Sequence, residues 1–169
     1  MTVYVAFLRA VNVGGRGILK MEDLHAVCVA CGLDNVRTFL QTGNVLFDSD
    51  RTERSLKQEL ERKIADRMGR AVGVLIRTAQ ELRAVLEANP FPQGDPSLVG
   101  VFFLPKALPP RLLTELELGG PEDVQMIGRE VFVHYPDGIG RSKMKLPFAA
   151  DGTSRNLNTI ARLVAMAGG

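Results

Sequence analysis

Apolar residues follow two rhythms along this chain, and the switches between them mark its elements. Val3 to Leu8 is an unbroken apolar run, which predicts a buried strand over 3–11. Leu24, Val27, Cys28 and Cys31 then recur at helical spacing, predicting a helix over 21–31 that stops at Gly32. Two short strands follow, 36–41 and 45–47, around the tight turn Thr42-Gly43-Asn44. Asp50 and Glu53 stand three apart as N-cap and N3 partners of a second helix. Leu56, Leu60, Ile64 and Met68 form its buried stripe. A strand over 72–77 closes the series. The order β-α-β-β-α-β predicts a ferredoxin-like unit.

The second half repeats the theme. Thr78-x-x-Glu81 is a capping box opening a helix through Ala88, and Asn89-Pro90-Phe91-Pro92 ends it. Residues 98–104 read as a buried strand. Pro109-Pro110 opens a short helix with Leu112, Leu113 and Leu116. Residues 123–127 and 131–135 read as a hairpin turning at Gly128-Arg129. A Gly- and Lys-rich loop, 137–145, leads to a last helix starting near Thr153 or Ser154 and running to Met166. This half shows no clear fourth strand. The expected fold class is α+β, with two packed ferredoxin-like (split βαβ) repeats and antiparallel sheets. The halves are 1–78 and 79–169, packed as one compact unit.

In the split arrangement strands one and two are parallel, and strand three returns between them. The end of strand one and the turn between strands two and three then share a sheet edge. That edge collects Arg9, Asn12, Gly14, Gly15, Gln41 and Asn44, with Lys20 just before the first turn of helix one. Glycines let backbone N–H groups approach a ligand, amides add donors, and a helix N-terminus favours anions. Each piece taken singly reads equally as a plain turn. Neither G-x-G-x-x-G nor G-x-x-x-x-G-K-[ST] is present.

Composition is that of an ordinary globular chain, 46% hydrophobic and 24% charged, and its net charge is only +2. The distribution says more. Residues 1–20 carry three cations and no acid, and residues 138–169 five cations and one acid, so the two segments together stand at +7 and residues 21–137 at −5. A basic stripe on an acidic body suits a phosphorylated or polyanionic ligand. In the second basic segment, glycines beside Ser142 and Lys143 suit an oxyanion. On the last helix Arg155, Asn158, Thr159 and Arg162 share one face, opposite Leu157, Ile160, Ala161 and Val164. Arg155 at that helix's start opposes the dipole, a conflict an anion relieves. Pairing with Asp151, or simple exposure, is the competing reading. Arg9, Asn12, Lys20, Lys143, Arg155 and Asn156 are expected to line one shared basic cleft.

Cys28 and Cys31 form C-x-x-C, but late on a helix and on its apolar stripe, which favours a structural role over redox or metal chemistry. No metal site is expected: only His25 lies near the pair. His134 reads as structural, and no triad or paired carboxylates stand out. The N-terminus reads as a strand, not a signal peptide, and no run is long enough to cross a bilayer, so a cytoplasmic protein is expected.

RAVNVGG at 9–15, Lys20-Met21, QTGNV at 41–45, NPF at 89–91, Tyr135-x-x-Gly138, Ser142-Lys143 and TSRNLNT at 153–159 together resemble the bacterial family known as domain of unknown function 1697. The resemblance runs nearly the whole chain in order. It implies two ferredoxin-like repeats and no particular activity. The family often has an aromatic, typically tryptophan, where this chain has Leu157; here the position reads as core. The expected function is binding of a phosphorylated ligand, either a small molecule such as a nucleotide or a nucleic-acid backbone. The 6% aromatic content and the lack of an RNP1 pattern weigh against base stacking. The alternatives are an enzyme acting on a phosphorylated small molecule, with Ser142, Thr159 and His25 as candidate nucleophile or base, and a structural or oligomerising protein. No cofactor is expected, and oligomeric state is not legible.

Overall fold

A computed structural model describes residues 1–11, 18–114, 120–139, 142 and 146–168. The chain divides into two compact units, residues 1–81 with 165–169, and residues 82–164.

The first unit carries β1 (Thr2–Leu8), α1 (Met21–Ala30), β2 (Asp34–Phe39), β3 (Asn44–Ser49), α2 (Glu53–Met68) and β4 (Val74–Thr78). Its sheet runs β2-β3-β1-β4, and β1 is antiparallel to both of its neighbours. Strand three therefore lies between strands one and two, as the split βαβ pattern requires. Alternation sorts the strands into two faces. Tyr4, Ala6, Leu8, Val45, Phe47, Val74 and Ile76 form one core with Leu24 and Cys28 of α1 and Leu56, Leu60 and Ile64 of α2. On the other face Val5, Phe7, Leu46, Leu75 and Arg77 are also buried.

Helix ends follow local chemistry. Gly32 (φ +79) and Gly69 (φ +71) adopt the left-handed conformation just past α1 and α2. The cap of α2 is Thr52, whose hydroxyl accepts from the Ser55 N–H, and not Asp50. An N-cap oxygen reaches the N2 or N3 amide only from the residue next to the helix, and this helix starts at Glu53. The Thr78–Glu81 box is closed in both directions. Glu81 accepts from the Thr78 N–H at 2.9 Å, and the Thr78 hydroxyl accepts from the Glu81 N–H at 3.0 Å. It starts α3 (Ala79–Glu87). Thr78→Ala is expected to lower the unfolding free energy by about 1 kcal/mol, read as a shift of the urea midpoint at constant slope.

The second unit carries a 3-10 turn (Pro96–Leu98), β5 (Val99–Phe103), α4 (Arg111–Thr114), β6 (Asp123–Ile127), β7 (Glu130–His134), β8 (Thr153–Asn156) and most of α5 (Leu157–Met166). Its sheet runs β6-β7-β5-β8, the order of the first sheet. Leu104, Val131, Val133, Tyr135 and Phe148 form its core with Phe102, Val124 and Met126. Phe102 meets Phe148 edge-on at 5.9 Å.

β8 corrects the sequence reading, which had the last helix begin at Thr153 or Ser154. Residues 153–156 pair along β5, with Val101 opposite Arg155 and Gly100 opposite Asn156. An unpaired β5 edge would leave backbone groups without partners, and pairing decides the matter against a short helical turn. The cap falls to Asn156, whose Oδ1 accepts from the Thr159 N–H at 2.9 Å. Arg155 thus does not share a helical face with Asn158 and Arg162. On α5, Leu157, Ile160, Leu163 and Val164 are buried, and Ala161, expected inside, is exposed.

Candidate functional site

The structure brings the end of β1 and the β2–β3 turn together. The Leu8 N–H donates to the Gly43 carbonyl at 2.9 Å. Gly43 has φ +90, and a Cβ there would lie 2.7 Å from Val11 Cγ1 and 2.9 Å from Leu8 Cβ. Two other residues at this edge hold left-handed backbone without being glycine: Ala10 (φ 53) and Leu40 (φ 65). A bulky residue with positive φ is uncommon and is held only by its surroundings.

Arg9 is half-buried. Its N–H donates to the Gly73 carbonyl at 2.8 Å, and its stem runs past Gly73. Lys20 is exposed and occupies the N-cap position of α1 without a side-chain cap bond. Gln41 is exposed. Asn44 is wholly buried, and its amide donates to the Phe39 carbonyl at 2.8 Å and to Thr42 Oγ1 at 3.2 Å. Its amide hydrogens therefore brace the turn. Asn12, Gly14, Gly15 and Lys143 lie outside the described residues.

The second unit gathers its own polar edge, where β5 begins. His134 pairs with Val99, the Tyr135 N–H donates to the Leu98 carbonyl, and Asn156 pairs with Gly100. Phe91 stacks on His134 at 5.6 Å. A Cβ on Gly94 would come 2.9 Å from His134 Nε2. Ser142 is half-buried and donates its hydroxyl to Glu122 Oε1 at 2.6 Å. Asn158 is exposed on α5. Phe91, Tyr135, Ser142 and Asn156, from three motif segments, thus gather at one end of one sheet, although about 60 residues separate the first from the last.

Arg155 is half-buried on β8. One guanidinium nitrogen donates to Thr153 Oγ1 at 2.8 Å and to the Ser154 carbonyl at 2.9 Å. Burial lowers its pKa to about 10, so it remains a cation at neutral pH. Its counterpart in the first unit is Arg77, which the sequence reading passed over. Arg77 pairs with Val5 as Arg155 pairs with Val101, and it donates to the preceding carbonyl, Ile76, at 2.9 Å. It is 1% exposed. The signal was an arginine inside the apolar run Val74-Leu75-Ile76.

The thiols are poor chemistry. Cys28 is fully buried and its pKa is pushed up to about 12 by burial, then by Cys31. Cys31 is half-exposed at the core margin. Burial and a hydrogen bond to Glu59 push it up to about 11. Neither is the low-pKa thiol of a redox motif. Among the described residues no group of three or more His, Cys, Asp or Glu could hold a metal ion, and no helix is long and apolar enough to cross a membrane.

A family model described as "Protein of unknown function (DUF1697)" matches residues 1–132. No curated protein matches the chain. Among solved structures, the conserved bacterial protein SP0830 from Streptococcus pneumoniae is similar over 98% of this chain and 98% of its own, with a TM-score of 0.81 and 24% identity. That likeness establishes a shared fold.

Proposed function

The chain belongs to the DUF1697 family, whose description gives no activity, and on that premise we propose that the first unit binds a phosphorylated ligand where β1 ends. The observation that carries this reading is the locked edge. The Leu8–Gly43 bond fixes it, and Ala10 and Leu40 are held in left-handed backbone on either side. Such conformations cost of order 1–3 kcal/mol each and gather where a backbone must present itself to a partner. Arg9 follows β1 and Lys20 precedes α1, so the segments that flank this edge carry two cations.

A small phosphorylated molecule fits better than a base-stacked strand. None of the large apolar side chains exposed among the described residues is aromatic, so support for a stacking platform is lacking. The acids Glu22 and Asp23 lie in the first turn of α1. Arg67 engages Asp23 at 2.9 Å, which tempers its charge.

Thermal unfolding with inorganic phosphate, sulfate, nucleoside mono- and triphosphates and short RNA tests the site. A ligand at about 100 times its dissociation constant stabilises by about 2.7 kcal/mol. That shift is expected with one phosphorylated class, is lost in Lys20→Ala, and weakens as salt rises. A flat panel overturns the reading.

A further inference from the structure

The polar edge of the second unit contains a hydroxyl–carboxylate pair that the phosphate-binding reading leaves unused. Glu122 lies one residue before β6. Because Asp123 pairs with His134, the Glu122 side chain falls on the same sheet face as Tyr135. It is a charged side chain only 8% exposed, and its two oxygens differ. Oε1 accepts the Ser142 hydroxyl at 2.6 Å, in the short range of an O–H bond to an ionised carboxylate. Oε2 is buried with no hydrogen-bond partner. A purely structural buried carboxylate is ordinarily bonded at both oxygens, since an unmet acceptor is costly. Among the described residues, the Ser142 hydroxyl is the hydrogen-bond donor to this carboxylate.

The surroundings preserve that asymmetry. A Cβ on Gly120 would lie 2.5 Å from Oε2, so glycine keeps the carboxylate's place open. The Tyr135 phenol is pushed up to about 12, by burial first and then by the Glu122 charge, so it stays neutral beside it. Ser142 is half-buried, whereas the carboxylate behind it is only 8% exposed. A hydroxyl backed by an adjacent base is the arrangement of an activated nucleophile. In sequence Ser142 stands between Arg141 and Lys143, which favours an anionic electrophile.

We propose that Ser142 is a nucleophile and Glu122 its general base, acting on a phosphoryl donor such as an acyl phosphate. Ser142 Oγ attacks phosphorus and its proton passes to Glu122 Oε1. The bond from phosphorus to the leaving oxygen breaks, and its electron pair departs with that oxygen. Glu122 returns the proton to the leaving group, and a phosphoserine remains. No oxidant or reductant is needed. The step does not rest on the first-unit anion site.

The test uses the full chain with acetyl phosphate as donor and, separately, a fluorophosphonate as trap, from which fluoride departs. Peptide mass mapping is expected to place one phosphoryl or phosphonyl group on Ser142. Ser142→Ala should take up none there. Glu122→Gln should slow labelling by about 100-fold or more. Thermal melts of each variant confirm a folded chain. If Glu122→Gln does not fold, the wild-type labelling site and Ser142→Ala decide. Absence of an adduct on folded wild type, an adduct at other residues only, or wild-type rates in a folded Glu122→Gln overturns the proposal.

Discussion

Gly43→Ala is expected to destabilise the first unit by about 3 kcal/mol. Two costs combine. Holding an L-residue near φ +90 costs roughly 1–2 kcal/mol. The new methyl would also press Val11 Cγ1 at 2.7 Å and Leu8 Cβ at 2.9 Å, an overpacking that costs about 1–3 kcal/mol. Fewer unfolded conformations return roughly 0.4–1 kcal/mol. The second unit shows what the glycine is for. There the Leu104 N–H donates to the Arg129 carbonyl at 3.1 Å, as Leu8 donates to Gly43. The bond therefore tolerates a side chain on its acceptor, and the close approach of β1 to the turn in the first unit does not. Urea unfolding followed by circular dichroism measures the effect. A change under about 0.5 kcal/mol would mean that the turn opens easily and the edge is not rigid. The same variant should weaken any ligand bound there.

The matching result in the second unit is a loss of about 3 kcal/mol for Gly152→Ala, by a different route. Gly152 has no positive φ. Its added Cβ would meet the Phe103 carbonyl oxygen at 2.5 Å and Leu104 Cδ2 at 2.7 Å. A leucine methyl can turn aside, but a backbone carbonyl within a paired strand cannot. Phe103 pairs with Glu130 on one side and Thr153 on the other, so relief requires parting β8 from β5. The variant should show faster amide hydrogen exchange at Thr153–Asn156 than at Val131–His134. Uniform acceleration of both strands would mean that the strain spreads through the sheet and β8 does not detach alone.

Much of this architecture was legible because periodicity and punctuation agreed. Leu56, Leu60 and Ile64 mark one helix face and are all buried. The Thr78–Glu81 box forms as its spacing suggests, and the 123–127 strand is found at its predicted limits. β8 was hidden because Thr-Ser-Arg-Asn has no apolar alternation. It is a strand only through its partner, and a single sequence does not display partners. The meeting of the β1 end with the Gly43 turn followed from topology and is present. The internal engagement of Asn44 was not foreseeable, since an amide in a turn can face outward or brace the turn. Glu122 gave no sign at all. One acid before a strand looks solvated until the structure buries it beside Ser142.

The C-x-x-C, with Cys28 buried and Cys31 at the core margin, has a practical side. Burial holds both thiols well above the usual cysteine value, so each stays protonated at pH 7. Thiolates, not thiols, attack alkylating agents and exchange disulfides. The folded protein should therefore store in air without reducing agent and ignore brief iodoacetamide at neutral pH. Any thiol-reactive dye intended for it needs a cysteine introduced elsewhere, and the two native ones can stay where they are. Should labelling of Cys28 appear during storage, it would report an opened chain, so that buried thiol doubles as a built-in gauge of sample integrity.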